Sequence, residues 1–210
     1  MYVDNLDSTK IIVLDQDMNY QDEFDSKLLK VSNIAFDRYD RRIYIADWLN
    51  NQISVFDDAK RHNGPFFTGP VDSPLFMDFD KDYVYVVSRT EYTLYDYSTL
   101  HKLRKGSNCI FRIDKKNHLK HSKIALDDWL APAGIYLDSK GNIITTALKV
   151  DKKDTNAIYT NRYLFILNQA GEKLREIELN DVFDKLNSMF FNGYRLFISY
   201  DKSFKMIEFK

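Results

Sequence analysis

The chain has 210 residues, of which 44% are hydrophobic and 15% aromatic, which is enough to bury the core of one domain. Its charged residues nearly cancel to a formal net charge of −1, so no global field attracts nucleic acid or an anionic membrane. The sequence shows no signal peptide and no apolar stretch of the roughly 20 residues that cross a bilayer. We therefore expect a cytoplasmic protein, unless the chain is a processed fragment, and no membrane contact.

Short apolar strands that end in Asp or Asn recur along the chain. In chain order they occupy residues 11–15, 53–57, 110–114 and 164–168, and residues 206–210 resemble a fifth copy without its turn. A side-chain oxygen at such a position bonds the turning backbone, which favours a hairpin there. The copies lie about 40 to 60 residues apart, which is the length of one four-stranded antiparallel unit with its loops.

A second set of strands lies in phase with the first. Four segments ending in Asp or Asn precede β-rich runs, which gives the pairs 34–37 with 43–46, 77–80 with 84–87, 135–138 with 143–146, and 189–192 with 196–199. We call these strands A and B, and the earlier set strand C. Residues 119–124 and 173–179 fit a weaker outer strand D. This pattern predicts an all-β protein with strands over about half the chain and one helical candidate, residues 181–186.

Residues 31–57 carry a family resemblance. The run Ile43-Tyr44-Ile45-Ala46-Asp47, an Asn-rich loop and Val55-Phe56-Asp57 resemble one NHL repeat, and residues 133–143 resemble the first half of another. YWTD-type propellers share part of the pattern. The low glycine content, 7 in the chain, is also similar to that of six-bladed propellers of bacterial genomes without an assigned activity. The resemblance implies a β-propeller of four-stranded antiparallel blades.

The strand register predicts a single propeller domain over residues 1–210. Its blades are expected at residues 1–30 (partial), 31–70, 71–129, 130–185 and 186–210 (partial). Because residues 2–15 align without gaps on residues 44–57, the first blade holds strands B–C–D and the last A–B–C. About five blades are thus represented, as part of a six-bladed or irregularly closed ring. Open β edges are adhesive, so we expect the edges at residues 2–3 and 206–209 to pair with each other, with another copy or with a partner chain.

Strand alternation also predicts which side chains form the core. We expect seven of them to be buried: Phe36, Ile45, Val55, Leu137, Ile144, Ile166 and Phe197. The single cysteine, Cys109, excludes an internal disulfide and begins a strand beside apolar residues, so we interpret it as a small core residue.

Two long B–C connections, residues 88–108 and 147–161, share one face of a propeller, and long loops on a rigid scaffold often bind ligands. Residues 92–96 also resemble a C strand, so the first connection has an alternative interpretation as an ordinary blade edge. Asp47 and Trp48 each have an alternative to ligand binding. Asp47 could instead bond the amides of its loop, and Trp48 could instead pack between blades. The candidate ligand-binding residues are Asp47, Trp48, Arg89, Tyr92, Tyr95, Lys149, Tyr159, Arg162, Tyr200 and Asp201.

The first functional hypothesis is a non-enzymatic scaffold that binds a protein or a small molecule on this face, without catalytic residues, metal or cofactor. An alternative is a lactonase-like or lyase-like enzyme with a divalent cation near Asp47 and Asp201, the acids at B-strand ends. A second alternative is RNA or polyanion binding through residues 101–123, which hold eight Lys or Arg against one acid. We do not expect nucleic-acid binding, because strand alternation scatters these charges.

Overall fold

The computed structural model describes residues 1–4, 9–28, 31–88, 109–126, 130–153, 156–179, 186–191, 195–200 and 203–208. Within these ranges the chain forms eighteen β-strands and no helix. A helix long and apolar enough to span a membrane is therefore not found among the described residues. The predicted all-β class is confirmed.

The strands pair in chain order into five antiparallel sheets. The first sheet contains β1 (Tyr2–Asp4), β2 (Lys10–Leu14) and β3 (Tyr20–Asp25). The second contains β4 (Val31–Asp37), β5 (Arg42–Asp47), β6 (Gln52–Phe56) and β7 (His62–Phe67). The third contains β8 (Pro74–Phe79), β9 (Tyr83–Ser88), β10 (Cys109–Asp114) and β11 (His121–Ala125).

The fourth and fifth sheets complete the described part of the chain. The fourth contains β12 (Leu130–Leu137), β13 (Ile143–Lys153), β14 (Asn156–Leu167) and β15 (Lys173–Leu179). The fifth contains β16 (Leu186–Phe191), β17 (Arg195–Tyr200) and β18 (Ser203–Glu208). The strand count follows the predicted B–C–D, three complete blades and A–B–C. Of the helical candidate at 181–186, residues 181–185 lie outside the described residues and Leu186 begins a strand.

The Asp and Asn residues at strand ends hold the turns as predicted. Asp114 Oδ1 accepts hydrogen bonds from the backbone N–H groups of Lys116 (2.8 Å) and Asn117 (2.9 Å). Asp138 Oδ1 accepts them from Lys140 and Asn142, both at 2.8 Å. The same arrangement recurs at Asp15, Asp57, Asp80 and Asn168. The sequence repeat is therefore a repeat of turn chemistry.

The sheets pack face to face, with one apolar cluster between each neighbouring pair from the first sheet to the fourth. Tyr44 and Ala46 of β5 face the third sheet, while Ile43 and Ile45 face the first. The inner strands β4, β8, β12 and β16 lie side by side in that order. Among the described residues, the first and fifth sheets neither pair nor pack against each other, so the ring of sheets is open. The described parts of the two end edges do not pair with each other, and their pairing with another copy or with a partner chain stays a prediction.

Most of the predicted core residues are buried, including Ile45, Val55, Leu137 and Ile144, and Cys109 is buried as well. Ile166 and Phe197 are only half-buried. The prediction that Phe36 is buried is wrong, because 45% of its surface is exposed. Phe36 pairs with Ile43 and so lies on the face of β4 that is turned to the first sheet. In that sheet no described strand pairs with the inner edge of β1, so none covers Phe36.

Candidate functional site

The strand order places the connections between sheet strands at two opposite ends of the molecule. Connections from strand B to strand C, and from strand D to the next strand A, lie at one end, which we call the loop face. Connections from A to B and from C to D lie at the other end, which we call the turn face. The predicted ligand-binding residues lie at or after the ends of B strands, and these ends belong to the loop face.

Asp47, at the end of β5, holds its own loop on the loop face. Its side chain is fully buried. Its Oδ1 accepts a hydrogen bond from the Asn50 backbone N–H (3.2 Å), and its Oδ2 accepts hydrogen bonds from the side-chain amides of Asn50 (2.7 Å) and Gln52 (3.4 Å). Asn51 follows in the left-handed region, with φ of 52°. Asp47 therefore has the alternative role considered above, that of bonding the amides of its own loop. The neighbouring Trp48 is half-buried.

The positions equivalent to Asp47 in the next two sheets are also closed to solvent. Ser88 is fully buried, donates a hydrogen bond to the Asp72 carbonyl (2.6 Å), and accepts one from the Asp72 N–H (3.0 Å). Ala147 is buried and has no polar side-chain atom. Asn51 accepts a hydrogen bond from Ser73 N–H (2.8 Å), which ties the B–C loop of the second sheet to the following D–A connection. These B-strand ends therefore stabilise the scaffold.

The fourth sheet extends furthest on the loop face. Strand β12 pairs with β13 only as far as Lys149, and β15 pairs with β14 only as far as Arg162. Beyond these residues β13 and β14 continue to pair with each other, from Val150 with Tyr159 to Lys153 with Asn156. We call residues 150–153 and 156–159 the arm. It is a two-stranded ribbon with no third strand at either edge among the described residues.

The arm corrects the prediction of a loop at residues 147–161. From the sequence, we placed residues 147–161 between strand B and the strand that begins at Arg162, and so interpreted them as a connection. A ribbon that projects beyond its sheet can continue the ladder without an apolar face. Its backbone hydrogen bonds are sufficient to continue the ladder.

The remaining predicted ligand-binding residues are distributed as follows. Lys149, Tyr159 and Arg162 lie on the strands in and beside the arm, and Tyr200 ends β17, where it pairs with Ser203. Arg89, Tyr92, Tyr95 and Asp201 lie outside the described residues, as does most of the 88–108 connection. The fold thus brings Lys149, Tyr159 and Arg162 together on one hairpin, while Asp47 and Trp48 lie two sheets away.

The turn face contains a buried ion pair between two sheets. Asp37, at the end of β4, is fully buried, and its Oδ2 contacts the ammonium group of Lys115, whose side chain is also buried. Asp37 Oδ1 accepts a hydrogen bond from Tyr39 N–H (2.9 Å), and Lys115 donates one to the Asp80 carbonyl (2.6 Å). The Lys115 ammonium also lies 5.5 Å from the centre of the Phe79 ring. The pair joins the second and third sheets.

A second polar group on the inner strands joins the third and fourth sheets. Asp78 of β8 accepts hydrogen bonds from the backbone N–H groups of Leu137 (2.6 Å) and Phe79 (2.8 Å). Burial raises the pKa of the Asp78 carboxyl, and these two bonds and the positive charge of Arg38 act in the opposite direction. Burial also raises the pKa of Asp40, and the nearby charge of Asp37 adds to that rise. The bond from Leu137 to Asp78 joins two sheets, whereas Asp40 accepts a hydrogen bond from Tyr44 of its own sheet.

The described part of the basic segment 101–123 does not form a common surface. Arg112 lies over the Tyr83 ring, 3.7 Å from its centre. Lys115 is buried against Asp37, and Lys123 lies 5.1 Å from the centre of the Phe111 ring. Lys116 and Lys120 are exposed in the turn after β10. These charges are therefore divided between the interior, the outer strands and the turn face.

The described residues contain no group of three His, Cys, Asp or Glu side chains arranged to hold a metal ion. Cys109 packs in the core, where burial raises the pKa of its thiol to about 11. Sequence reasoning missed the inter-sheet roles of Asp37, Asp78 and Lys115. The sequence did contain a signal for Asp78. It is a charged residue at a position of the inner strand where the equivalent residues of the neighbouring repeats are Ala35 and Tyr136.

No protein-family model matches the sequence, and no curated protein matches it. Solved structures do match its fold. Hydrazine synthase of Kuenenia stuttgartiensis superposes with a TM-score of 0.68 at 14% identity over 95% of this chain and 51% of that one. The chain thus spans about half the length of the hydrazine synthase chain.

Two further solved structures are similar. A chain of a nidogen/laminin complex gives a TM-score of 0.61 at 15% identity, over 97% of this chain and 75% of that one. A streptogramin B lyase gives a TM-score of 0.57 at 11% identity, over all of this chain and 79% of the lyase chain. At such identities the likeness concerns the fold, and one fold carries many functions. The chain forms five antiparallel sheets whose inner strands lie side by side, and solved propeller structures superpose on it. These observations show that the chain is a β-propeller.

Proposed function

We propose that this propeller is a non-enzymatic binding scaffold that holds a protein partner on its loop face, with the arm as the main contact element. The observation that carries the proposal is that, among the described residues, β13 and β14 extend beyond both neighbouring strands of their own sheet. Two other B–C connections on this face are short, the one between Asp47 and Gln52 and the one between Tyr200 and Ser203. The arm is therefore not needed to close its blade.

An isolated two-stranded ribbon is marginally stable in water, because it buries little apolar surface. Among the described residues no strand pairs with either outer edge of the arm, and unpaired backbone N–H and C=O groups readily pair with another chain. The sequence from 149 to 162 contains Lys149, Lys152, Lys153 and Arg162 against Asp151 and Asp154, so the segment has an excess of positive charge. A protein surface with some acidic groups fits this element best.

A metal-dependent enzyme at the B-strand ends has less support. Both carboxylate oxygens of Asp47 already accept hydrogen bonds from Asn50 and Gln52 within its own loop. Ser88 and Ala147, at the equivalent places, are buried and supply one hydroxyl between them. A divalent cation would need several oxygen ligands that converge on one point.

Site-specific photo-crosslinking in the source cells tests the proposed binding. A photoreactive amino acid replaces Tyr159 in the arm, and in the control protein it replaces Leu119, which is 83% exposed on the turn face. We expect one discrete adduct with another protein from position 159 and none from position 119. The partner identified in that adduct should then bind the purified wild-type chain and lose binding when the arm is removed. Equal adducts from both positions, or binding that survives removal of the arm, would contradict the proposal.

A further inference from the structure

The outer strand of the second sheet, β7, departs from regular pairing in its middle. His62 pairs with Phe56 and Pro65 pairs with Ser54, so two residues of β7 lie opposite one residue of β6. Gly64 takes a left-handed conformation there, with φ of 94°. This is a β-bulge, in which the pairing is locally disrupted. The two residues between His62 and Pro65 therefore have no partner in the β6–β7 register.

These two residues are Asn63 and Gly64, and the side chain of Asn63 is free. Asn63 is exposed, its φ lies outside the left-handed region, and its side chain makes no hydrogen bond within the part of the chain that the structure describes. The other asparagines with described side chains each use them in a hydrogen bond, and they are Asn19, Asn33, Asn50, Asn51, Asn117, Asn142 and Asn168. Nothing in the fold therefore restrains the amide of Asn63.

An asparagine that precedes glycine can lose its side-chain amide without an enzyme. The backbone nitrogen of the glycine attacks Cγ of the asparagine and gives up its proton, and ammonia leaves as the Cγ–N bond breaks. Water then opens the resulting five-membered succinimide ring at one of its two carbonyls, which gives aspartate or isoaspartate. The net reaction consumes one water, releases one ammonia and needs no oxidant or cofactor.

The bulge leaves room for this reaction. The attacking nitrogen belongs to Gly64, which has no partner in the register, and a Cβ atom placed on Gly64 would have no other atom within 4 Å. The space beside the reacting atoms is therefore open. The strand beyond the bulge stays anchored, because Phe66 and Phe67 are buried in the core between the second and third sheets.

We propose that Asn63 is a site of spontaneous deamidation in the folded protein. The reaction converts a neutral amide into a carboxylate and so adds a negative charge to the exposed outer strand of the second sheet. The isoaspartate product also lengthens the backbone of β7 by one carbon, which the bulge accommodates because its two residues have no ladder partner. The site is independent of the arm and of the binding proposed for it.

Peptide mapping of the purified, folded chain after incubation at mildly alkaline pH tests this site. Trypsin releases residues 62–81 as one fragment, in which Asn63 is the single asparagine, and the other Asn-Gly pair, at 192–193, falls in a different fragment. We expect the first fragment to gain the mass difference between O and NH. Its rate should lie within about tenfold of that of a synthetic peptide of residues 58–68, because a site that needs no opening of the fold reacts almost as in an unfolded chain. Labelling by an isoaspartyl methyltransferase identifies the isoaspartate product.

Asn51→Gly supplies a matched control, because it creates the same dipeptide at a restrained asparagine. Asn51 has a φ of 52°, which glycine adopts readily, and thermal unfolding shows that the variant is folded. The side-chain amide of Asn50 donates a hydrogen bond to Asp47 (2.7 Å), so Asn50 should react about tenfold or more slowly than in its own reference peptide, residues 45–56 with the same substitution. An unchanged Asn63 in the folded chain while its reference peptide is converted would overturn the proposal. Equal relative rates at Asn50 and Asn63 would overturn it as well.

Discussion

At the scale of single residues, the carboxylates at strand ends stabilise the turns by accepting hydrogen bonds from backbone N–H groups. Hydrogen bonds from the Asn117 and Lys116 N–H groups lower the pKa of Asp114, and bonds within their own turns lower the pKa of Asp15 and Asp57 as well. This role could be predicted from the sequence, because an Asp or Asn after a short apolar strand bonds the next few amides whatever the rest of the fold does.

Substitution of Asp114 tests the turn role. Asp114→Asn keeps an oxygen acceptor but loses the charge, so it should be less stable than the wild type in urea at pH 7 and more stable than Asp114→Ala. A lowered pKa in the folded state means that the stabilisation is present above the ordinary value of 3.8 and is lost as the pH falls through the folded value. The gap between wild type and Asp114→Ala should therefore narrow below about pH 4. A gap that does not change with pH would contradict the role of the charged form.

The ion pair between Asp37 and Lys115 supports a second residue-scale prediction. Lys115→Met leaves the buried Asp37 carboxylate without its counter-charge, which should lower the free energy of unfolding by about 3–5 kcal/mol. Adding Asp37→Asn, which keeps the turn acceptor but removes the charge, should restore a large part of that loss. Urea denaturation of the two single variants and the double variant measures the coupling. Additive losses would show that the two side chains do not form a pair.

The sequence did not reveal this pair. Lys115 appeared as one member of a basic segment, and Asp37 as one more turn residue. Their contact depends on how the second and third sheets pack, which local periodicity does not encode. The same holds for Asp78, whose bond to Leu137 joins two strands of different sheets.

At the scale of elements, the strands of the complete blades were predictable and the arm was not. Short apolar runs and turn residues defined strands A, B and C in the sequence, because those strands pack on both faces. The sequence pattern of strand D was weaker, because an outer strand buries few side chains. In β11, for example, only Ile124 is buried. The arm continues beyond the described ends of β12 and β15, and its sequence has no apolar run like those of strands A, B and C.

Removal of the arm should leave the scaffold folded. Replacing residues 150–160 by Asn-Gly joins the paired residues Lys149 and Asn161 through a two-residue hairpin turn. Because no other described strand pairs with the ribbon, we expect the free energy of unfolding to change by no more than about 1 kcal/mol. Thermal and urea unfolding measure this. Loss of cooperative unfolding would show that the arm is part of the core instead.

The exposed inner-strand position gives a matched pair of core variants. Phe79→Ala should cost about 3–5 kcal/mol, because its ring is buried between two sheets. Phe36→Ala, at the equivalent place on β4, should cost about 1 kcal/mol or less, because almost half of its surface is already in water. Equal losses in urea denaturation would show that Phe36 is covered in the isolated chain.

At the scale of the whole molecule, the repeat register accounts for five sheets, of which the first and the last have three strands. This count was predictable because each blade repeats the same order of strands and turns. The relation between the two end sheets was not, since it depends on surfaces that the repeat does not describe. The structure leaves the two end sheets apart in its described residues, and the inner edge of β1 is free as a result.

Residue-resolved hydrogen exchange of the isolated chain tests this architecture most directly. We expect the ladder amides of the central strands β9 and β10 to exchange only through global unfolding, because both strands are paired on both sides and buried. The backbone amides of Tyr2 and Asp4 point away from β2 and should exchange orders of magnitude faster, because none of the described strands covers them. Protection of Tyr2 and Asp4 equal to that of β9, or rapid exchange throughout β9 and β10, would contradict the open five-sheet propeller.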